Sequence, residues 1–369
     1  MPADLLVHLI TPGDWRAALA AGAVRPPSLV TEGFVHLSAP GQVHLPAARL
    51  FPGRRDVVLL VVDPRRLTAP VRWEPGVPGD PGSMRFPHLY GGLPTSAVVG
   101  VVPWRDGAAP ELPGTDDAAA RARALMVSLP VRRAPHVHDL PGGFAVADPA
   151  LPHSRDDNRV LLTAATDVGA VEGLTSEAAA RAGWPAAAVT LLHPGSAPVA
   201  AELERRGWEV SPALVMARWA PFPDGAPGRV EAVPQEAVHP LWEAQWRREL
   251  TGSGAGLDEV VTQLVGREHR TDRVVAVTDL AVREQGRVVA AAQLRVDGAT
   301  GWIESVVTEP AARRRGHGDA LLAAALAGAA AAGCDLVLLE AAVLDWPREW
   351  YARRGFSVVT RSWEAVRRR

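Results

Sequence analysis

Cysteine and lysine are the residues that this chain of 369 residues has least of. It contains one cysteine, Cys334, and no lysine, whereas arginine is abundant. A single cysteine cannot form a disulfide within the chain, so no internal disulfide supports the fold. We attribute the use of arginine in place of lysine to codon usage in a GC-rich genome rather than to chemistry.

Long apolar runs and a surplus of positive charge are also missing. The most apolar run, residues 321–333, has the length of an ordinary helix, and no stretch reaches the ~18 uncharged apolar residues typical of a membrane span. The first residues lack the apolar segment of a secretory signal. The formal net charge of -2 favours neither nucleic acid nor an anionic membrane as a partner. We therefore expect a cytoplasmic protein that binds neither.

The composition is that of a folded protein with several cores. Hydrophobic residues make up 47% and charged residues 22% of the chain. At roughly 150 residues per domain, the length predicts two or three units. Turn-rich segments rich in proline and glycine follow Trp104 and Ala220. We expect an α/β protein with mixed α+β sheets, divided into a small α+β domain (1–107), a linker (108–130), a middle lobe (131–221) and a C-terminal domain (222–369).

The C-terminal domain alternates strands and helices. The apolar patterns predict helices at 235–250, 317–332 and 347–353, and strands at 273–277, 279–283, 287–296, 301–307, 335–340 and 357–363. A short helix at 116–125 is expected within the linker.

The loop between the strand at 301–307 and the alanine-rich helix suits an anionic ligand. It contains Arg313-Arg-Arg-Gly316-His-Gly318. Free N–H groups at a helix start, glycines that allow close backbone approach, and the positive end of the helix dipole together form a cradle for a pyrophosphate. An isolated match of this kind would more often be a turn with a solvated basic face.

A second motif makes the match specific. Arg313-x-x-Gly316-x-Gly318 resembles the pyrophosphate loop of the GNAT acetyltransferases, and Tyr351-Ala-Arg-Arg-Gly355-Phe356 resembles their closing Tyr-x-x-x-Gly-Phe segment. The resemblance implies a splayed mixed sheet with acetyl-CoA, the co-substrate, held between two strands. The residues that it implies for acetyl-CoA binding are Val306, Val307, Arg313, Arg314, Arg315, Gly316, His317, Gly318 and Asp319.

The same resemblance implies two catalytic residues. Tyr351 would protonate the leaving sulfur, and Glu304 would act as base on the attacking amine, directly or through water. The alternatives are a packing aromatic for Tyr351 and a solvated strand carboxylate for Glu304. The expected acceptor is a primary amine of a small molecule or peptide.

The middle lobe resembles a degenerate GNAT lobe. It ends in Glu204-Arg-Arg-Gly207-Trp208, similar to the closing segment, but has no pyrophosphate loop. The expected fold is therefore a tandem of GNAT lobes, the second intact, preceded by the small α+β domain. An unrelated α/β domain is the alternative for the middle lobe.

The N-terminal domain carries histidines in apolar strands. The segments Gly33-Phe-Val-His36-Leu-Ser38 and Phe86-Pro-His88-Leu-Tyr90-Gly91 resemble domain of unknown function 952, which is similar to the ADP-ribosyltransferase fold. That resemblance implies a nicotinamide dinucleotide pocket, whose candidate residues are His8, His36, Ser38, Gln42, His88 and Tyr90. Buried core histidines are the alternative for these positions. Because no ligand spacing supports zinc, we predict no metal site.

The sequence thus predicts an N-acetyltransferase that uses acetyl-CoA. Two alternatives stay open: a non-catalytic acyl-CoA-binding regulatory protein, and a nucleotide-handling protein led by the N-terminal domain.

Overall fold

The computed structural model describes residues 5–76, 84–107, 110–223, 228–250 and 256–368. None of the helices in these ranges is long and apolar enough to cross a membrane. Three units follow one another along the chain, and the second and third share one sheet.

The N-terminal unit packs short helices against small antiparallel sheets. Its elements are β1 (Leu6–Ile10), α1 (Pro12–Ala21), β2 (Ala23–Val24), α2 (Ser28–Thr31), β3 (Val35–His36), α3 (His44–Leu50), β4 (Val58–Val62), β5 (Val71–Pro75), β6 (Arg85–Leu89), β7 (Leu93–Pro94) and β8 (Val98–Pro103). The sheets run β1-β4-β8, β3-β6-β5 and β2-β7. Alternate residues of β4 enter different cores: Leu60 packs with Trp15, and Leu59 packs with Trp104.

A long helix, α4 (Ala118–Arg133), follows the N-terminal unit. Asp117 caps it by accepting a hydrogen bond from the N–H of Ala120 at 2.9 Å. The short helix expected at 116–125 is therefore longer than predicted. It continues because Leu125 and Leu129 are buried against the large sheet.

The middle unit contains β9 (His136–Leu140), β10 (Gly143–Ala147), β11 (Arg159–Leu162), α5 (Val168–Ala182), β12 (Ala186–Leu191), α6 (Ala197–Arg205) and β13 (Glu209–Trp219). The C-terminal unit contains β14 (Glu231–Val233), α7 (His239–Glu249), α8 (Leu257–Gly266), α9 (Glu268–Thr271), β15 (Ala276–Glu284), β16 (Arg287–Asp297), β17 (Thr300–Thr308), α10 (His317–Ala331), β18 (Leu336–Ala342), α11 (Pro347–Ala352) and β19 (Ser357–Arg368). Short 3₁₀ turns lie at Pro40–Gln42, Pro64–Arg66, Thr95–Ala97, Gln235–Ala237 and Pro310–Ala312.

Two features of the C-terminal unit differ from the prediction. One strand, β15, replaces the two expected at 273–277 and 279–283: it begins at Ala276, because residues 273–275 form a turn, and it runs on through Asp279, which is buried and accepts a hydrogen bond from Gln293 on β16 at 2.9 Å. The helices α8 and α9 were not predicted. Part of the second linker, residues 224–227, lies outside the described residues.

The middle and C-terminal units form one 11-stranded sheet by exchanging their last strands. The strand order is β14-β15-β16-β17-β18-β13-β19-β12-β11-β10-β9. The last strand of the middle unit, β13, pairs with β18, and the last strand of the chain, β19, pairs with β12. Each unit therefore completes the sheet of the other, and α4 covers one face near the centre.

Buried charges fasten the N-terminal unit and α4 to this sheet. Asp297, at the end of β16, accepts hydrogen bonds from the Trp15 indole at 2.7 Å and from Arg132 at 2.5 Å. Arg121 of α4 pairs with Asp335 at 2.8 Å. In the turn between β16 and β17, a Cβ on Gly298 would lie 2.4 Å from the carbonyl oxygen of Val98, so this close approach requires glycine.

Candidate active site

Strands β17 and β18 separate partway along their length. β17 has nine residues, but in the described sheet it pairs with β18 only from Thr300 to Trp302. A bulge follows, in which Ser305 adopts a φ of 54° and the register with β16 shifts. Peptide groups of residues 303–308 that point towards β18 therefore have no strand partner. The result is the wedge of a splayed sheet, as the sequence predicted.

Helix α10 begins at the mouth of this wedge without a side-chain cap. Gly316 is the N-cap residue, and its φ of 79° is one that glycine adopts without strain. The N–H groups of the first turn, including those of His317, Gly318 and Asp319, have no partner within the helix. These free N–H groups and the helix dipole favour the binding of an anion at this position.

The three arginines of the loop differ in what they contact. Arg313 donates to the carbonyl oxygen of Thr308 at 3.3 Å, and Arg315 pairs with Glu284 at 2.7 Å. Arg314 is exposed and makes no hydrogen bond or ion pair with any residue that the structure describes. Its guanidinium is available to a bound anion.

The side chains after Gly316 brace the loop. His317 is 5% exposed and contacts Glu284 through Nε2 at 2.9 Å, whereas its buried Nδ1 has no partner among the described residues. His317 and then Arg315 hold the pKa of Glu284 below its ordinary value. Asp319 accepts hydrogen bonds from the indole of Trp350 at 3.1 Å and from Arg354 at 2.6 Å. The carboxylate of Asp319 is therefore already engaged by α11.

One glycine and two valines complete the predicted set. A Cβ on Gly318 would lie 3.3 Å from the Trp350 ring, so glycine allows α11 to pack closely against α10. Val306 and Val307 lie on β17, and their side chains pack into two different hydrophobic clusters. Only their backbone groups can face a ligand in the wedge.

Tyr351 approaches the wedge from the α10 face of the sheet. It is 6% exposed and makes edge contacts with Trp350 and Phe356, with ring centroids 4.7 Å and 5.8 Å away. Burial, together with the charge of Glu304, raises the pKa of Tyr351 to about 12. The phenol is therefore protonated at neutral pH.

Glu304 lies on the opposite face, at the point where the strands separate. Its carboxylate accepts a hydrogen bond from the Trp302 indole at 3.0 Å and lies 3.4 Å from Arg295. The side chain is 40% exposed. Glu304 and Tyr351 thus flank the wedge from its two faces.

A carboxylate that the sequence analysis missed lies beside Glu304. Glu340, on β18, faces the same cleft and accepts a hydrogen bond from the hydroxyl of Ser362 at 2.8 Å. No short motif marks Glu340: its position follows only from the pairing of β17 with β18, which ends at Trp302 and Leu338, two residues before Glu304 and Glu340.

The N-terminal candidates fall into two groups. His8, His36 and Ser38 line a cavity of about 740 Å³. The Nδ1 of His8 contacts the carbonyl oxygen of His36 at 2.8 Å, and burial lowers the pKa of His8. His88 and Tyr90 contact Glu74 instead, at 3.2 Å and 2.8 Å.

The remaining N-terminal contacts join the two groups only loosely. The rings of His36 and His88 are 5.1 Å apart, and burial lowers the pKa of His88. Gln42 donates to the carbonyl oxygen of Arg85 at 3.2 Å. Across the described ranges, no cluster of histidine, cysteine and carboxylate side chains is placed to hold a metal ion.

The middle unit lacks both an open wedge between its strands and an uncapped helix start. Its strands β11 and β12 stay paired to the end of β11, where the N–H of Leu192 donates to Leu162 at 2.8 Å. The helix that follows, α5, is capped by Asp167, whose carboxylate accepts from the N–H of Ala170 at 3.0 Å. A carboxylate at this position repels a second anion.

Two families of known proteins match separate parts of the chain. The family described as "Protein of unknown function (DUF952)" matches residues 9–101, and the family "Acetyltransferase (GNAT) domain" matches residues 274–358. No protein with a curated description matches the chain.

Several solved structures are similar to parts of the chain. A protein of Caulobacter crescentus is 34% identical, with 28% of this chain and 90% of that chain covered and a TM-score of 0.25. A GCN5-related N-acetyltransferase from Kribbella flavida is 17% identical, with 68% and 96% covered and a TM-score of 0.47. The PaiA N-acetyltransferase of Thermoplasma acidophilum, solved in complex with coenzyme A, is 14% identical, with 37% and 96% covered and a TM-score of 0.31.

Within the C-terminal unit, residues 274–358, which include β17, the loop and α10, match the acetyltransferase class. The chain combines a domain of the DUF952 family at its N-terminus with a GNAT acetyltransferase domain at its C-terminus.

Proposed function

We propose that the C-terminal unit transfers an acetyl group from acetyl-CoA to a primary amine. The observation that carries this proposal is that the uncapped start of α10 and the open wedge beside β17 lie at one place in the sheet. The helix start suits a diphosphate, and the wedge suits an extended arm that ends in a thioester.

The residues present fit such a ligand. The N–H groups after Gly316 and the guanidinium of Arg314 are available to the diphosphate, while Asp319 is held away by Trp350 and Arg354. The open edge of β17 at Val306 and Val307 offers backbone groups to the arm. The middle unit offers no equivalent, so we assign one acetyl-CoA site to the chain.

Acetyl-CoA supplies an activated acyl group when bound. Tyr351, whose phenol is protonated at neutral pH, donates its proton to the leaving sulfur. On the other face, Glu304 attracts the positively charged amine, and the sequence predicts it as the base. The wedge brings these groups and the thioester into one geometry.

The test is thiol release. The full chain is incubated with acetyl-CoA and a panel of alkylamines, polyamines, aminoglycosides, amino acids and peptides, and free coenzyme A is followed with a thiol reagent. The proposal expects release that depends on one class of amine. Tight acetyl-CoA binding without release for any amine would instead support a regulatory acyl-CoA-binding protein.

A second candidate function concerns the N-terminal unit. The cavity of about 740 Å³ beside His8 and Ser38 is large enough for a nucleotide fragment. We propose NAD as the compound to test, by calorimetry on the full chain and on a His8→Ala variant. Heat of binding that disappears in the variant would support the site, and absence of binding to either would remove it.

A further inference from the structure

Just past the last paired residues of β17 and β18, each strand carries a carboxylate at the start of the wedge. The last paired residues are Trp302 and Leu338. Two positions further along each strand, on the same face, lie Glu304 and Glu340. They are the first side chains of this face past the point where the strands part, which is where the thioester of a wedged ligand would lie.

This face opens into a cleft built by both lobes. The cleft has a volume of about 150 Å³ and is walled on one side by Leu125, Met126 and Leu129 of α4. The middle unit contributes Arg159 and Thr190. The middle unit therefore supplies part of the wall of a cleft that begins at the wedge of the C-terminal unit.

Most carboxylates in the cleft are held by arginine. Glu364 pairs with Arg159 at 3.0 Å, Glu268 pairs with Arg295 at 2.6 Å, and Asp156 pairs with Arg267. Glu304 lies 3.4 Å from Arg295.

Glu340 is different. Within the described residues it has no basic partner in ion-pair range, and its one hydrogen bond comes from Ser362. Water reaches its side chain through the cleft, so it is accessible to a ligand. Among the described residues no cation lies within ion-pair range of Glu340, so an ammonium group entering the cleft would be the first to do so.

The surroundings of Glu340 suit a base that works near neutral pH. Partial enclosure between the cleft walls raises the pKa of Glu340 to about 7, and the charges of Glu304 on β17 and Glu364 on β19 act in the same direction, although the side chain stays open to water. Ser362 and the guanidinium of Arg159 on β11 oppose this rise. The other charged groups of the cleft are Arg133, Asp156, Arg267, Glu268 and Arg295.

We propose that the acceptor amine binds in this cleft between the two lobes, with its nitrogen between Glu304 and Glu340, and that Glu340 takes its proton. The proposal rests on the acetyltransferase function proposed above. In this proposal Glu304, which contacts Trp302 and Arg295, positions the ammonium group and is not the base.

The proton and bond changes balance without a further reactant. The ammonium group gives one proton to Glu340, which passes it to water. The neutral nitrogen forms a bond with the thioester carbonyl carbon, the carbon–sulfur bond breaks, and sulfur takes the phenol proton of Tyr351. The second proton of the nitrogen leaves as the amide forms and returns Tyr351 to its neutral state through water.

The test compares Glu340→Gln with Glu304→Gln over a range of pH, using whichever amine the panel selects. For the native chain, kcat/KM should rise as pH increases through about 7 and Glu340 loses its proton. This rise is the acidic limb of the pH profile. Glu340→Gln should lower kcat by a factor on the order of 10² to 10³ and remove the limb, so that only the ionisation of the amine itself shapes the profile. Glu304→Gln should raise KM and keep the limb.

Two controls make the outcome decisive. Glu177→Gln, an exposed change on α5 far along the sheet, should behave as the native chain, and thermal unfolding checks the fold of each variant. If the limb disappears in Glu304→Gln and persists in Glu340→Gln, the proposal is wrong. If no amine releases thiol from any form, the proposed function itself has failed, which is a different result.

A second readout does not depend on turnover. In protein labelled with ¹³C at the glutamate carboxyls, the resonance that is missing from Glu340→Gln should titrate near pH 7. Excess ethylamine should lower the midpoint, because an ammonium group beside the carboxylate favours its charged form. Ethanol, the neutral control, should leave it unchanged. A midpoint that ethylamine does not move would contradict the placement of the amine.

Discussion

Tyr351 and Glu304 lie on opposite faces of the sheet, and their surroundings differ accordingly. Tyr351 is enclosed by Trp350 and Phe356 in a hydrophobic core, so its phenol keeps its proton well above neutral pH. Glu304 is partly open and is held by Trp302 and Arg295. In the proposed reaction, Tyr351 is the acid that protonates sulfur, and Glu304 positions the amine on the other face of the wedge.

Tyr351→Phe removes the phenol proton and keeps the ring that packs against Trp350. We expect turnover to fall on the order of 10²-fold with acetyl-CoA affinity unchanged, because only the protonation of sulfur is lost. Steady-state kinetics and calorimetry on the same preparation measure the two effects. Unchanged turnover would reduce Tyr351 to a packing residue.

The loop could be singled out from the sequence because the chemistry that suggests it is local, and its role in binding stays a prediction. Gly316, Gly318 and the arginines act through backbone shape and charge near one helix start, and both are visible in a short motif. Glu340 could not be found in this way. Its position near Glu304 depends on the pairing of β17 with β18, and its lack of a basic partner in ion-pair range among the described residues depends on how the arginines of the cleft are paired.

At the scale of elements, α10 with its loop and the strands around it were predicted within a few residues. The helices α8 and α9 and the full length of α4 were missed. The length of α4 is fixed by burial of Leu125, Leu129 and Arg132 against the sheet, which is a tertiary effect. The exchange of β13 and β19 was also missed, since the two pairings join distant segments.

The difference between α5 and α10 predicts how many acetyl-CoA molecules bind. The start of α5 is capped by Asp167, and its flanking strands are closed, whereas α10 is uncapped beside an open wedge. We expect one acetyl-CoA per chain, measured by calorimetry or by mass spectrometry of the intact complex. A stoichiometry of two would show that the middle unit also binds the ligand.

At the scale of the whole molecule, the N-terminal unit and the tandem lobes meet around Asp297. This carboxylate is buried, with its side chain 4% exposed, and it joins Trp15 of the N-terminal unit to Arg132 of α4 and to the hairpin that leads into β17. The two lobes in turn share one sheet. The units proposed from the sequence therefore depend on one another for stability.

Asp297→Ala should destabilise the chain by about 3–5 kcal/mol, because it leaves the buried Arg132 charge without its partner. Asp297→Asn keeps the shape and an acceptor for the Trp15 indole, so we expect a smaller loss of stability. Urea unfolding followed by tryptophan fluorescence measures both. Equal stability of Asp297→Ala and the native chain would contradict the account of this junction.

The central claim is that the main chain at the start of α10 holds a diphosphate, and calorimetry with acetyl-CoA on Gly316→Glu and Gly316→Ala tests it most directly. Both variants strain the left-handed backbone at φ 79°, but only glutamate adds a negative charge at the anion position. We predict that Gly316→Ala weakens binding modestly and that Gly316→Glu abolishes it. Equal affinity of Gly316→Glu and Gly316→Ala would contradict the claim.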